Sequence, residues 1–227
     1  KFEVIDSGTI EGLTNSRATS LFEDSRGAVW IGHDTGDLTC CSDGKFRPVP
    51  RAPSWSGGTI SGICADAAGD VWAANLRGVC VRLRDGLVVP PLPEQAEEPS
   101  VSPQLLLDRQ NRLLLIRNGY VATVTATGCR RVDFQTTDTR PYYARVAAAR
   151  AGGLWVPASG RVRRWTGESW QDDLGPYPWG EAFVMTMHES SSGRLFVGTL
   201  ERGLFIHDPA LGWMNLTQTN GLPQDWV

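Results

Sequence analysis

A unit of short strands occurs five times in this 227-residue chain and predicts an all-β fold, a β-propeller of five four-stranded blades of about 42 residues each. A turn residue followed three positions later by a large apolar side chain recurs at Gly27/Trp30, Gly69/Trp72, Asn111/Leu114, Gly152/Trp155 and Gly193/Phe196, in steps of 42, 42, 41 and 41 residues. Strands such as Leu105-Leu106-Leu107 and Leu113-Leu114-Leu115-Ile116 are continuously apolar, as sheets buried on both faces require. No segment of ten or more residues carries a helical period.

The first blade shows the unit most clearly. Its strands are expected at Ala18 to Glu23, Ala28 to Gly32, Asp37 to Ser42 and Phe46 to Val49. Asp24 is placed to accept hydrogen bonds from the turn amides two residues on, while Gly27 supplies the left-handed conformation that a side chain resists. Asp43-Gly44 closes the last hairpin. The second blade repeats the pattern at Ile60 to Ala65, Asp70 to Ala74, Val79 to Arg84 and Leu87 to Val89, with Asp66 and Gly69 at the first turn and Asp85-Gly86 at the last. Blade three is expected at Gln104 to Leu107, Arg112 to Arg117, Tyr120 to Thr125 and Arg130 to Phe134, with Asn111 in the glycine's place. Blade four runs Ala144 to Ala149, Leu154 to Pro157, Arg161 to Trp165 and Trp170 to Asp172. Blade five runs Phe183 to His188, Leu195 to Gly198, Gly203 to His207 and Trp213 to Leu216. These last two keep the glycine and replace the turn aspartate by Ala149 and Ser190.

One domain spanning 1–227 is expected, with blades at approximately 12–53, 54–98, 99–138, 139–178 and 179–220. Residues 1–11 and 221–227 read as parts of flanking repeats, and Pro90 to Pro103 as an exposed, polyproline-like connection. An open fan of blades would expose an apolar face at each end, so the expectation is either a ring closed by five, with Phe2 to Ile5 pairing at the seam, or a larger ring of which this is part.

The formal charge is −3, from 22 basic and 25 acidic residues without a block of like charge, which argues against a nucleic-acid partner. No apolar run reaches the roughly 20 residues of a membrane span, so no membrane contact is expected of this region, and no signal peptide is visible. Cys40, Cys41, Cys64, Cys80 and Cys129 form no C-x-x-C or Cys/His pattern and are expected as small buried thiols. Cys64 and Cys80, two strand spacings apart, are too distant for a disulfide.

Gly12-Leu13-Thr14-Asn15-Ser16, Thr19 to Asp24, Gly27, Trp30-Ile31-Gly32 and Gly36 together resemble the two-component regulator propeller repeat. Gly193 to Thr199 with Gly203-Leu204 is similar to it, and Gly221-Leu222-Pro223 has its opening. In that family the propellers form extracytoplasmic sensor regions of bacterial signalling proteins, often hybrid histidine kinases, and several are linked to polysaccharide sensing. The resemblance implies a periplasmic or extracytoplasmic ligand-sensing or scaffolding module whose partners are an oligosaccharide or other polar ligand, a protein, or flanking signalling domains. Any kinase activity lies outside this chain. The usual member carries more blades than five.

Propellers bind ligands on the loops from outer strand to next inner strand and from second to third strand. Here those loops carry Trp55, Arg77, Arg140, Tyr142, Tyr143, Tyr177, Trp179, Glu181, Glu201 and Arg202, with His33, Asp34 and Trp226 beside them. Aromatics with Arg and carboxylates suit sugar binding, rings stacking on apolar sugar faces and charged groups meeting hydroxyls. The competing role for each aromatic is packing between blades, as assigned to Trp30, Trp72, Trp155 and Phe196. No catalytic residue, cofactor or metal is called for: the inner strands offer few carboxylates, the histidines are scattered, and no G-x-S-x-G, H-E-x-x-H or P-loop pattern occurs. A five-bladed glycosidase or lyase is therefore the less favoured reading, and a protein-interaction scaffold the main alternative to a sensor.

Overall fold

The computed structural model describes residues 5–51, 55, 57–89, 103–117, 120–125, 128–134 and 145–227. Five four-stranded sheets are present, each a meander of four consecutive strands. The first comprises β1 (Ala18–Glu23), β2 (Val29–His33), β3 (Leu38–Ser42) and β4 (Lys45–Pro48), and the second β5 (Ile60–Ala65), β6 (Val71–Asn75), β7 (Cys80–Arg84) and β8 (Leu87–Val89). The third holds β9 (Gln104–Leu107), β10 (Leu113–Arg117), β11 (Tyr120–Thr125) and β12 (Gly128–Arg131). The fourth holds β13 (Ala147–Ala148), β14 (Leu154–Ala158), β15 (Arg161–Trp165) and β16 (Trp170–Pro176), and the fifth β17 (Val184–Glu189), β18 (Leu195–Thr199), β19 (Gly203–Asp208) and β20 (Gly212–Leu216). These are the expected blades, most bounds agreeing within a residue or two. The fourth strand of blade three begins and ends earlier than expected, and β16 runs on to Pro176. The predicted seam strand and most of the Pro90 to Pro103 connection lie outside the described residues.

The recurring turn is built as its chemistry requires. Gly27, Gly69, Asn111, Gly152 and Gly193 all adopt positive φ, between 58° and 89°. Asp24 accepts the N–H groups of Arg26 (2.9 Å) and Ala28 (3.0 Å), and its second oxygen accepts the indole N–H of Trp30 at 3.0 Å. Asp66 repeats all three, holding Trp72 at 2.8 Å. One carboxylate thus ties the hairpin and orients the aromatic that fills the space beneath it.

The chain divides into two compact units, Lys1–Leu107 with Asn111–Leu115 and Thr123–Arg130, and Arg131–Val227 with Asp108–Gln110 and Ile116–Ala122. In the first, Trp30, Leu38, Ile60, Ile63, Val71, Val81 and Leu83 pack between consecutive sheets, and Trp72, Cys64, Cys80, Leu105, Leu113 and Leu115 form a second layer. In the second, Trp155, Val162, Trp179, Val184, Leu195, Val197 and Phe205 do the same. None of the five cysteines is in a disulfide; Cys64 and Cys80 are buried and the other three half-buried.

Candidate ligand-binding rim

The described site residues lie at the corners between second and third strands (Arg77, Glu201, Arg202) or on the connections from one blade to the next (Trp55, Tyr177, Trp179, Glu181). Three residues after each of Trp30, Trp72, Leu114, Trp155 and Phe196, at the end of the second strand, stand His33, Asn75, Arg117, Ala158 and Thr199, all buried. Asn75 shows what this position does: its side chain donates to Gly57 O (2.7 Å) and accepts from the N–H groups of Arg77 (2.9 Å) and Val79 (3.0 Å), pinning the corner from inside. Thr199 donates to Gly203 O at 2.8 Å in the same role. His33, expected beside the rim, belongs to this set: it is fully buried, its Nε2 meets Thr39 Oγ1 at 2.9 Å, and burial pushes its imidazole below the ordinary range against the pull of Asp37 and Asp34. A histidine so enclosed serves the corner and cannot reach a ligand.

In the first unit the rim carries Asp34, which pairs with Arg17 (3.2 Å) and accepts from Asn15 (2.8 Å), and Asp37, which accepts from Arg51 (2.7 Å) and Thr35 (2.6 Å). Trp55 is 6% exposed and donates its indole N–H to Gly36 O at 2.7 Å. It is a packing residue in the core formed by the first two blades and offers no face for stacking. Arg77 is exposed on the β6–β7 corner, and its guanidinium has no partner among the described residues.

In the second unit the β16–β17 connection runs along the corner end of the sheets, its start tied by Tyr177 N–H to Gly160 O (3.0 Å) and its end by Leu200 N–H to Phe183 O (2.9 Å). Tyr177 stacks on Trp179 at 5.1 Å and 12°. Trp179, expected as an exposed anchor, is 2% exposed, its ring set edge-on against Phe205 (5.7 Å) and Trp213 (5.6 Å). It is the floor of this end of the core, and half-buried Tyr177 covers it. Glu181, Glu201 and Arg202 are exposed, and their side chains have no partner among the described residues. Glu201 sits at φ 69°, where the β18–β19 corner turns. Asp225 O accepts from Gly203 N–H (2.8 Å) and brings Trp226, 61% exposed, to the same corner. The candidates Arg140, Tyr142 and Tyr143 lie outside the described residues.

Two features escaped the sequence reading. The first strand of blades one, two and five carries a register shift after its first residue, at Ala18/Ser20, Ile60/Gly62 and Val184/Thr186. Thr19 uses that bulge to donate to Gly32 O (3.1 Å) and to Ile60 O of the next blade (2.8 Å). The other is Glu189, which replaces the missing turn aspartate of blade four from the neighbouring blade, accepting the Trp155 indole N–H at 3.0 Å and the Arg150 N–H at 2.5 Å. Only its place one residue before the fifth turn could have signalled it. Among the described residues no group of three His, Cys, Asp or Glu is arranged to hold a metal ion.

No curated protein matches the chain by sequence. Among solved structures it is similar to the catalytically inactive virginiamycin B lyase from Staphylococcus aureus with quinupristin (TM-score 0.69, 14% identity, covering 92% of this chain and 71% of that one). It is similar also to the WD40 β-propeller domain of Doa1 (TM-score 0.61, 14% identity, 87% and 68%). A third is the extracellular domain of a hybrid two component system from B. thetaiotaomicron (TM-score 0.57, 11% identity, 92% and 34%). At these identities the likeness is one of fold, which is the β-propeller, and a lyase among the neighbours carries no chemistry across. The two component regulator propeller family matches residues 12–35, the stretch holding Asp24, Gly27 and Trp30. This chain therefore carries the two component regulator propeller repeat, on a β-propeller of four-stranded blades.

Proposed function

We propose that this propeller is a non-catalytic, extracytoplasmic sensor region of a two-component signalling protein, binding a glycan or other polar ligand on the rim of its second unit. The observation that carries the reading is the family match at residues 12–35; the extracellular-domain neighbour supports the location. The rim supports the ligand class. Glu181, Glu201 and Arg202 present charged groups not engaged within the described protein, beside the half-buried ring of Tyr177 and the exposed ring of Trp226. Such groups supply hydrogen bonds to hydroxyls while the rings take apolar sugar faces.

The test is a screen of the purified chain against an oligosaccharide library, read by thermal shift. Tyr177→Ala and Trp226→Ala should each weaken a hit by about 1 to 3 kcal/mol with the fold intact. Turnover of any glycan overturns the non-catalytic reading. A silent screen on folded protein favours a protein-interaction scaffold instead.

A further inference from the structure

At the other end of the second unit, where the first hairpins of blades four and five meet, an open cleft of about 830 Å³ lies between the two blades. Its apolar lining comes from Leu174, Leu195 and Pro209. Its polar lining is unusual in being unspent. The Arg150 guanidinium has no carboxylate partner among the described residues, and lies toward Gly193, where an added Cβ would sit 3.8 Å from its terminal nitrogen. Glu189 uses one oxygen on Trp155 and on the Arg150 N–H, while its other oxygen takes no donor from the described residues. His207 stands edge-on to Trp213 at 5.0 Å, with neither ring nitrogen hydrogen-bonded to described protein. Burial lowers its affinity for a proton against the nearby Asp208, so the imidazole is neutral and adds no charge. The remaining carboxylate, Asp172, is neutralised by Arg164 at 2.7 Å.

The cleft thus offers one unpaired cation, one carboxylate with an oxygen to spare, and an apolar floor. A simple anion would face Glu189, and a simple cation would face Arg150. A sugar would find no exposed ring to stack on, since the one indole at hand, Trp155, is buried with its N–H spent on Glu189. A molecule carrying both charges answers the site. We propose that this cleft binds a small zwitterion of the amino acid or short peptide class, its carboxylate on Arg150, its ammonium on Glu189 and its apolar side chain on Leu174, Leu195 and Pro209. Charge-assisted hydrogen bonds at both ends then fix orientation, while the floor selects for apolar side chains. The site is independent of what the rim takes, since it lies at the opposite ends of the same strands.

Calorimetry on the full chain with leucyl-leucine as probe tests it, beside N-acetyl-leucyl-leucine, which lacks the ammonium, and leucyl-leucinamide, which lacks the carboxylate. Saturable binding of the free dipeptide is expected, with each blocked form weaker by about tenfold or more. Arg150→Ala should weaken the dipeptide by about tenfold and erase the discrimination against the amide. Glu189→Gln keeps an acceptor for Trp155 and should erase the discrimination against the acetylated form. Lys45→Ala, which removes an exposed cation of the first unit, should leave binding unchanged. No saturable binding by folded protein, equal binding of the three peptides, or indifference to Arg150→Ala would each overturn the proposal.

Discussion

Asp24 and Asp66 each hold two backbone N–H groups and one indole, so a single carboxylate carries a turn and a core side chain together. Asp24→Ala leaves the buried Trp30 and Ala28 donors without acceptors and should destabilise by about 2 to 4 kcal/mol, read by urea denaturation. Asp24→Asn, which keeps an acceptor oxygen, should cost less. Trp72→Ala empties a site that is 2% exposed and should cost about 3 to 5 kcal/mol. Trp179→Ala belongs with it: a loss of stability of similar size is expected, whereas an unchanged melting temperature would return Trp179 to the list of ligand anchors. Sequence alone left packing and binding open for that residue, because an aromatic in a loop rich in Pro and Gly fits both; the rings of Phe205 and Trp213, brought by another strand pair, decide it.

At the scale of the blade, contact between neighbours is made by the absence of side chains as much as by their presence. Gly32 on β2 has ordinary φ, yet a Cβ there would stand 2.5 Å from Ile60 Cγ2 on the next blade. Gly32→Ala should therefore destabilise by about 1 to 3 kcal/mol through overpacking, and should cost less in an Ile60→Ala background, where the clashing atoms are gone, so that a double-mutant cycle shows coupling. Additive effects would mean that the two blades do not touch there. Gly27→Ala meets nothing within 4 Å and should act only through its positive φ, with no such coupling. The second blade also shields its thiols: burial pushes Cys64 far above its ordinary range, next to Cys80. A thiol reagent should find five thiols in denaturant and spare Cys64 and Cys80 in the native protein.

For the molecule as a whole, acid is the predicted weakness. Asp70 is held low by hydrogen bonds from Arg84 and Arg82, Asp173 by Arg161, and Asp208 by the Ala210 N–H and Arg194; in Asp24 and Asp37, burial opposes the shift but the hydrogen bonds prevail. A depressed folded value means that these groups contribute stability fully above their ordinary 3.8, and lose it as pH falls through the lower folded values. His33 and His207, also lowered, bind protons more readily when unfolded, so their contribution begins to fall below their ordinary 6.5. The urea midpoint should accordingly be level between about pH 7 and 9, decline gently below pH 6.5 and steeply below pH 4, and fall again above about pH 9, where the thiols of Cys40 and Cys64, raised by burial, ionise more readily when unfolded. Asp70→Asn should flatten the steep limb. A midpoint that rises toward acid would contradict the assigned ion pairs.

What the sequence determined by itself is whatever repeats. Turn chemistry is local: a left-handed residue at Gly27, Gly69, Asn111, Gly152 and Gly193 has a backbone reason contained within four residues, and a recurring local reason at 41 or 42 residues is a blade. Four strands per blade followed from it, with bounds that missed at the ends of blades three and four, whose last hairpins carry no Asp-Gly signal, and at the first strand of blade four, where among the described residues of the expected Ala144 to Ala149 only Ala147–Ala148 is strand. What depends on a neighbour was not legible. His33 reads as a rim residue until Thr39 encloses it, Trp55 as an anchor until Gly36 takes its N–H, and Glu189 as an ordinary strand end until Trp155 of the adjoining blade reaches it. Tertiary structure decided these because a donor or acceptor 6 to 34 residues away sets the role, and one-dimensional periodicity carries no information on which side chain fills the gap between two sheets.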